Sequence, residues 1–293
     1  MDFRAILTQH KLVVGDGAMG SQLMARGLPG GVPGDLWNLE RPEVVEAIQR
    51  DYVQAGAQFL LTNTLGANAV ALGRYGLAER LEEVNAAAVQ IARRASEGRA
   101  AVLADLGPTG ELLEPLGTLS RAKAAEAFAA QVQALVRAGV DGFIGQTFES
   151  SEELWIALDA ARQACALPLI ASMKFQPVKG GGYRTMMGEG PDRLAALARE
   201  LGCTAVGTNC GQGIGTMVGA VAEIAKLTDL PVLAEPNAGL PALVEGRTVY
   251  REDAAVFARH LPELYRAGAR IIGGCCGTAA EHIRAIRRFA DSL

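Results

Sequence analysis

The chain has 293 residues, 49% hydrophobic and 20% charged, with a formal net charge of −4 at pH 7. This is the composition of an ordinary globular protein, and its acidic balance offers no electrostatic footprint for nucleic acid. No uncharged apolar run approaches the length that crosses a bilayer, the amino terminus lacks a long apolar core, and five cysteines are an odd count for a disulfide framework, so a cytoplasmic protein with reduced thiols is expected.

In chain order, strand-like runs alternate with helical ones. The first run, Lys11–Gly15, leads into Asp16-Gly-Ala-Met-Gly20, where small residues let backbone amides approach a ligand. A long Gly27–Asp35 stretch follows, of the kind that serves as a lid or partner surface. A helix over Pro42–Ala55 precedes a second strand and its polar end, Phe59–Thr64. Later strands are expected at Ala101–Asp105, Gly142–Gln146, Pro168–Ser172, Ala205–Asn209, Pro231–Glu235 and Arg270–Gly274. Between them, Ala124–Val136, Glu152–Ala164 and Asp253–Tyr265 carry apolar residues at helical spacing, and Lys179–Tyr183 reads as a loop.

Eight short buried strands, each followed by a helical segment, predict a (β/α)8 TIM barrel occupying residues 1–293 as one domain. An open doubly wound sheet is the runner-up, but Asp16-Gly-Ala-Met-Gly-Ser does not supply its glycine fingerprint, and no Walker-type loop appears.

In such a barrel the chemistry sits where strands end. Three cysteines fall there: Cys210, and the adjacent pair Cys275 and Cys276. Three soft thiolates converging on one point suit Zn²⁺ and leave a fourth position for substrate. A buried cysteine acting as a small hydrophobe and a strained vicinal disulfide are the alternatives, and the long separation matches no short zinc motif. Asp16, Asn63, Asp105, Gln146, Thr147 and Asn237 also lie at strand ends, so polar groups and thiols ring one mouth. Singly, Asp16, Asn63 and Asp105 could be loop ties. His10, His260 and His282 all fall outside the strand ends.

The stretches Asp16-Gly-Ala-Met-Gly, Thr62-Asn-Thr-Leu-Gly-Ala, Gly107-Pro-Thr-Gly, Asn209-Cys210, Glu235-Pro-Asn-Ala-Gly and Gly273-Gly-Cys-Cys-Gly-Thr resemble, in order and over nearly the whole chain, those of the zinc-dependent homocysteine S-methyltransferases. Within them the likeness is greatest to the homocysteine-binding barrel of cobalamin-dependent methionine synthase. The resemblance implies zinc held by Cys210, Cys275 and Cys276, with Asn237 filling the fourth position before substrate arrives. It implies a substrate pocket built from Asp16, Gly17, Ala18, Met19, Gly20, Asn63, Asp105, Gln146 and Thr147, the 16–20 turn receiving the amino-acid end of homocysteine. The expected reaction is methyl transfer onto a zinc-activated thiolate in methionine biosynthesis.

One position departs from the family. The fourth strand there ends in a glutamate that pairs with the substrate ammonium group, whereas this chain has Gln146. An amide accepts a hydrogen bond but carries no charge. Either Asp16 reads the charge alone, or the acceptor is a different thiol. A zinc-binding or thiol-sensing barrel without methyl transfer is the reading from another class. Since the chain ends after the eighth helix, methylcobalamin is expected on a separate corrinoid protein, with S-methylmethionine or betaine as other donors.

Overall fold

The computed structural model describes residues 1–244 and 247–293. Eight parallel strands run β1 (Val13–Val14), β2 (Phe59–Leu61), β3 (Ala101–Leu106), β4 (Gly142–Phe148), β5 (Leu169–Met173), β6 (Ala205–Cys210), β7 (Val232–Pro236) and β8 (Ala269–Ile272). They are hydrogen-bonded in the order β1-β8-β7-β6-β5-β4-β3-β2, the order of a (β/α)8 barrel. The strands are almost wholly buried, because helices cover one face and the barrel interior the other.

Helices α1 (Pro42–Ala55), α2 (Leu81–Ser96), α3 (Arg121–Ala138), α4 (Ser151–Ala164), α5 (Pro191–Glu200), α6 (Ile214–Ala225), α7 (Ala254–Arg266) and α8 (Ala280–Asp291) each follow one strand. Their ends are set by local chemistry. Pro42 opens α1, where its missing N–H costs nothing, and Gly56 closes it in the left-handed conformation. Ser120, Ser150 and Asp253 cap α3, α4 and α7 by accepting bonds from backbone N–H groups in the first turn. Among the described residues no helix is long and apolar enough to cross a membrane.

The seam between β1 and β2 has little regular ladder, and side chains close it. Gln58 N–H donates to the Val14 carbonyl at 2.8 Å while Gln58 Oε1 accepts from Val14 N–H at 2.9 Å. One turn higher, Asp16 Oδ2 accepts from Leu61 N–H at 2.8 Å. The bottom of the barrel is plugged by the amino-terminal helix Phe3–Gln9, whose Phe3 ring meets Phe59 edge-on at 5.5 Å within a cluster that includes Val13, Leu103, Ile144, Leu233 and Ile271. An apolar floor therefore lies beneath the strand ends, where the loops gather.

Two small hairpins were not read from the sequence. The 179–183 loop is the tip of a small antiparallel hairpin pairing Gln176 with Arg184, and a second hairpin pairs Ala242 with Val249. Each ladder has only two or three pairs and lacks the alternating pattern by which strands are read from sequence.

Candidate metal centre and substrate cavity

The sulfurs of Cys210, Cys275 and Cys276 lie within 4.8 Å of one another, and those of Cys275 and Cys276 are 3.9 Å apart. Adjacent loops hold them there. Cys275 N–H donates to the Pro236 carbonyl at 2.9 Å and Ala238 N–H to the Cys276 carbonyl at 2.9 Å, so the cysteine pair is stitched to the residues on either side of Asn237. The Thr278 hydroxyl donates to the Cys275 carbonyl at 2.8 Å. Asn237 Nδ2 donates to the Gly211 carbonyl at 2.8 Å and reaches Cys210 Sγ at 3.5 Å, while Asn237 Oδ1 is enclosed without a partner. Hydrogen bonds from the Cys275 and Cys276 thiols hold the Cys210 thiol well below its ordinary range, and the same sharing drives Cys275 upward. Three sulfurs so close cannot all carry charge without a cation.

Cys210 and Thr147 are unusual in having positive φ, 67° and 65°. A left-handed backbone is costly for a side chain other than glycine, most of all a β-branched one. Asn209 holds both in place. Its Oδ1 accepts from Thr147 N–H at 2.9 Å and from the Ser172 hydroxyl at 2.9 Å, and its Nδ2 donates to Thr147 Oγ1 at 2.7 Å. The strain sits beside the sulfur that it aims.

The three cysteines open onto a cavity of about 400 Å³, lined also by Asp16–Gly20, Asn63, Asp105, Gln146 and Thr147. Burial raises Asp16 from its ordinary carboxyl value to about 8, even though Leu61 N–H bonds its ionised form. Burial likewise raises Asp105, with the Gln146 amide opposing and the charges of Asp16 and Asp35 adding. Gln146 Nε2 donates to Asp105 Oδ2 at 2.9 Å, and Asp105 Oδ1 has no partner. The site can hold a cation on its sulfurs and a small polar molecule beside its carboxyl groups.

The sequence profile of the homocysteine S-methyltransferases matches residues 13–290. The chain belongs to the homocysteine S-methyltransferase family. It is 32% identical to methionine synthase of Mycobacterium tuberculosis (strain ATCC 25618 / H37Rv) over 97% of its own length, and 31% identical to that of Mycobacterium leprae (strain TN) over 94%. The chain spans about a quarter of the length of these relatives, 25% and 24%. Among solved structures, the metallated homocysteine methyltransferase MmuM from Escherichia coli superposes with a TM-score of 0.80 at 25% identity, covering 98% of this chain and 99% of that one.

Every position expected of a homocysteine S-methyltransferase from the sequence falls on this cavity or, for Asn237, beside it. Some are occupied with structural bonds. Ala18 N–H donates to Thr278 Oγ1 at 3.0 Å, and its carbonyl accepts from the Tyr52 hydroxyl at 2.6 Å. A side chain at Gly17 would strike the Tyr52 ring at 2.7 Å, so glycine there lets the turn and the tyrosine meet. Asn63 ties loops, donating to the Gly34 carbonyl and to Asn38 Oδ1, both at 2.9 Å. Thus the Gly27–Asp35 stretch is anchored at its end, and Asp35 Oδ1 binds Gly66 N–H at 3.1 Å on the cavity wall. Burial raises Asp35 to about 6.

The sequence left other cavity residues without a role. Tyr250, after the second hairpin, lines the cavity near the cysteines, and burial with the nearby sulfurs pushes its phenol up to about 12. Arg74 lines the wall while donating to the Thr109 carbonyl at 2.7 Å. Neither carries a motif, and a basic residue just after a short helix or a tyrosine after a hairpin is common on any surface. The histidines stay outside. His282 lies in α8, its ring bonded to Ala279 N–H at 3.1 Å and to the Glu252 carbonyl at 2.9 Å.

Proposed function

We propose that this protein transfers a methyl group onto the sulfur of a small thiol, with homocysteine as acceptor and methionine as product, and that Zn²⁺ held by Cys210, Cys275 and Cys276 activates the thiol. The observation that carries the reading is the convergence of three sulfurs at the mouth of a closed-ended cavity of substrate size. The residues fit the metal. Zinc–sulfur bonds of about 2.3 Å at tetrahedral angles place sulfurs about 3.8 Å apart, and Cys275 and Cys276 are 3.9 Å apart. Asn237 Oδ1, enclosed and lacking a donor, supports its role as the fourth ligand before the thiol arrives.

When bound, zinc would remove the proton of a thiol whose ordinary pKa of about 8.5 leaves it mostly protonated at neutral pH, supplying the nucleophilic thiolate. The chain's own residues bind and orient. Asn209 fixes the backbone on which Cys210 projects, and the β7 and β8 loops lock Cys275 and Cys276 to one position. Asp16 to Gly20, Asn63, Asp105, Gln146 and Thr147 form the wall against which the remainder of the thiol lies. In-line transfer of a methyl group onto sulfur needs little general acid or base, and histidine is absent from the cavity lining among the described residues.

The likeness to methionine synthases supports a methylcorrinoid donor carried on another protein or module. The test is a product assay on purified, zinc-loaded protein, with homocysteine and a panel of thiols against methylcobalamin, S-methylmethionine and betaine. Methionine formation from methylcobalamin is expected. Thiol binding with no turnover from any donor would contradict methyl transfer.

A further inference from the structure

A groove of about 620 Å³, larger than the cavity at the cysteines, lies on the flank of the rim. Its lining comes from the loop after β3, the first turn of α4, the segment after the 176–184 hairpin and one face of α5. The loop after β3 is shared with the cysteine cavity. Arg74, on the cavity wall, donates to the Thr109 carbonyl at 2.7 Å, and Thr109 gives its N–H and its hydroxyl to Glu153 of the groove at 2.8 and 2.6 Å. Large apolar side chains stand open to solvent along this groove. Leu112 and Leu116 are 53% and 69% exposed, Met187 is 37% exposed, and the Trp155 ring lines the groove with them.

Six glutamates and two arginines line the groove. One arginine is already engaged: Arg121 meets Glu152 at 2.6 Å and lies over the Trp155 ring, 4.9 Å from its centroid. Two further carboxyl groups are held by neutral donors, which add no positive charge. Trp155 Nε1 donates to Glu200 at 2.8 Å, and the Ser151 N–H and hydroxyl donate to Glu189 at 2.6 and 2.8 Å. No ion pair among the described residues involves Glu111, Glu114, Glu189 or Glu200. Arg193 alone is left to oppose them.

Exposed apolar side chains set among charged ones mark an interaction surface, and the sign of the charge identifies the partner. A nucleic acid or an anionic membrane surface would be repelled. A second copy of this chain, docked groove to groove about a two-fold axis, would set carboxyl groups against carboxyl groups. A small polycation would answer the charge but leave the leucines in water. We propose that the groove is a docking site for a cationic amphipathic segment of another protein. Its apolar side chains lie on Leu112, Leu116 and Met187, and its lysines or arginines meet Glu111, Glu114 and Glu200. The docking site uses none of the three cysteines, so it stands apart from the methyl-transfer reading.

The test is titration of the whole protein with a synthetic peptide of leucines and lysines at helical spacing, followed by tryptophan emission. Trp155 reports on the groove, because Trp37, the other tryptophan, is buried. Saturable binding is expected. The double variant Glu111→Lys, Glu114→Lys should weaken it about tenfold or more, and Leu116→Ser about fivefold. All three side chains are exposed, so both variants should fold as the wild type does. A peptide with glutamate in place of lysine should not bind, and one with serine in place of leucine should bind about tenfold more weakly. Absence of saturable binding overturns the proposal, as does affinity within about twofold of wild type in both variants. Equal binding of the serine or the glutamate peptide overturns it too. A concentration-dependent dimer in sedimentation that Leu116→Ser abolishes would make a second copy the occupant, which also overturns it.

Discussion

Replacing Asn209 by alanine is the sharpest probe of how the barrel aims its sulfur. The side chain makes three bonds, to Thr147 N–H, Thr147 Oγ1 and the Ser172 hydroxyl, at 2.9, 2.7 and 2.9 Å. Thr147 N–H cannot turn away, because β4 fixes its backbone, and a buried N–H left unpaired costs about 1–3 kcal/mol. The two hydroxyl bonds contribute about 1 kcal/mol each, though rotation recovers part of that. The same β4 constraint keeps Thr147 at φ 65°, so little backbone strain is returned. The net expectation is a loss of about 2–3 kcal/mol, read as a lower urea midpoint with an unchanged slope in the metal-free protein. Because Cys210 is the next residue and shares the left-handed conformation, zinc affinity should fall as well. A stability loss below about 1 kcal/mol with unaltered zinc affinity would refute the clamp.

Cys276→Ala should empty the zinc site, whereas Cys165→Ala and Cys203→Ala should not, since Cys165 closes α4 and Cys203 is packed in the core; metal analysis of the three variants decides this. Chelation should leave far-ultraviolet circular dichroism intact, because the apolar floor and the helix layer make no use of the metal; collapse of that signal would mean a structural zinc site. Asp16, with its folded value near 8 against 3.8 for an ordinary aspartate, stays protonated where the unfolded chain ionises. The folded state then binds more protons, so this group's contribution is complete below about pH 4 and is lost as pH rises towards about 8. Asp16→Asn keeps the acceptor for Leu61 N–H, and the variant should gain stability relative to wild type across that window; a difference constant with pH would contradict the burial argument.

The barrel was legible because parallel strands buried on both faces read as apolar runs, and because proline, glycine and capping residues punctuate them. Helix α1 has the very bounds read from Pro42 and Ala55. The site was legible as a set of strand ends, but not as a set of bonds. That Asp16 closes the β1–β2 seam, that Gln146 donates to Asp105, and that Asn209 grips Thr147 all depend on how strands are staggered around the closed barrel, which no local pattern encodes. Glu235 illustrates the same limit: as one residue of a Glu-Pro-Asn run it could have been a loop tie, and only the packing shows it enclosed with an unanswered oxygen.

The central claim is that a substrate thiol joins the three cysteines on the metal. Zinc X-ray absorption of the purified protein should report three sulfurs and one nitrogen or oxygen neighbour alone, and four sulfurs once homocysteine is added. A sulfur count that does not change on saturation with homocysteine would contradict the account.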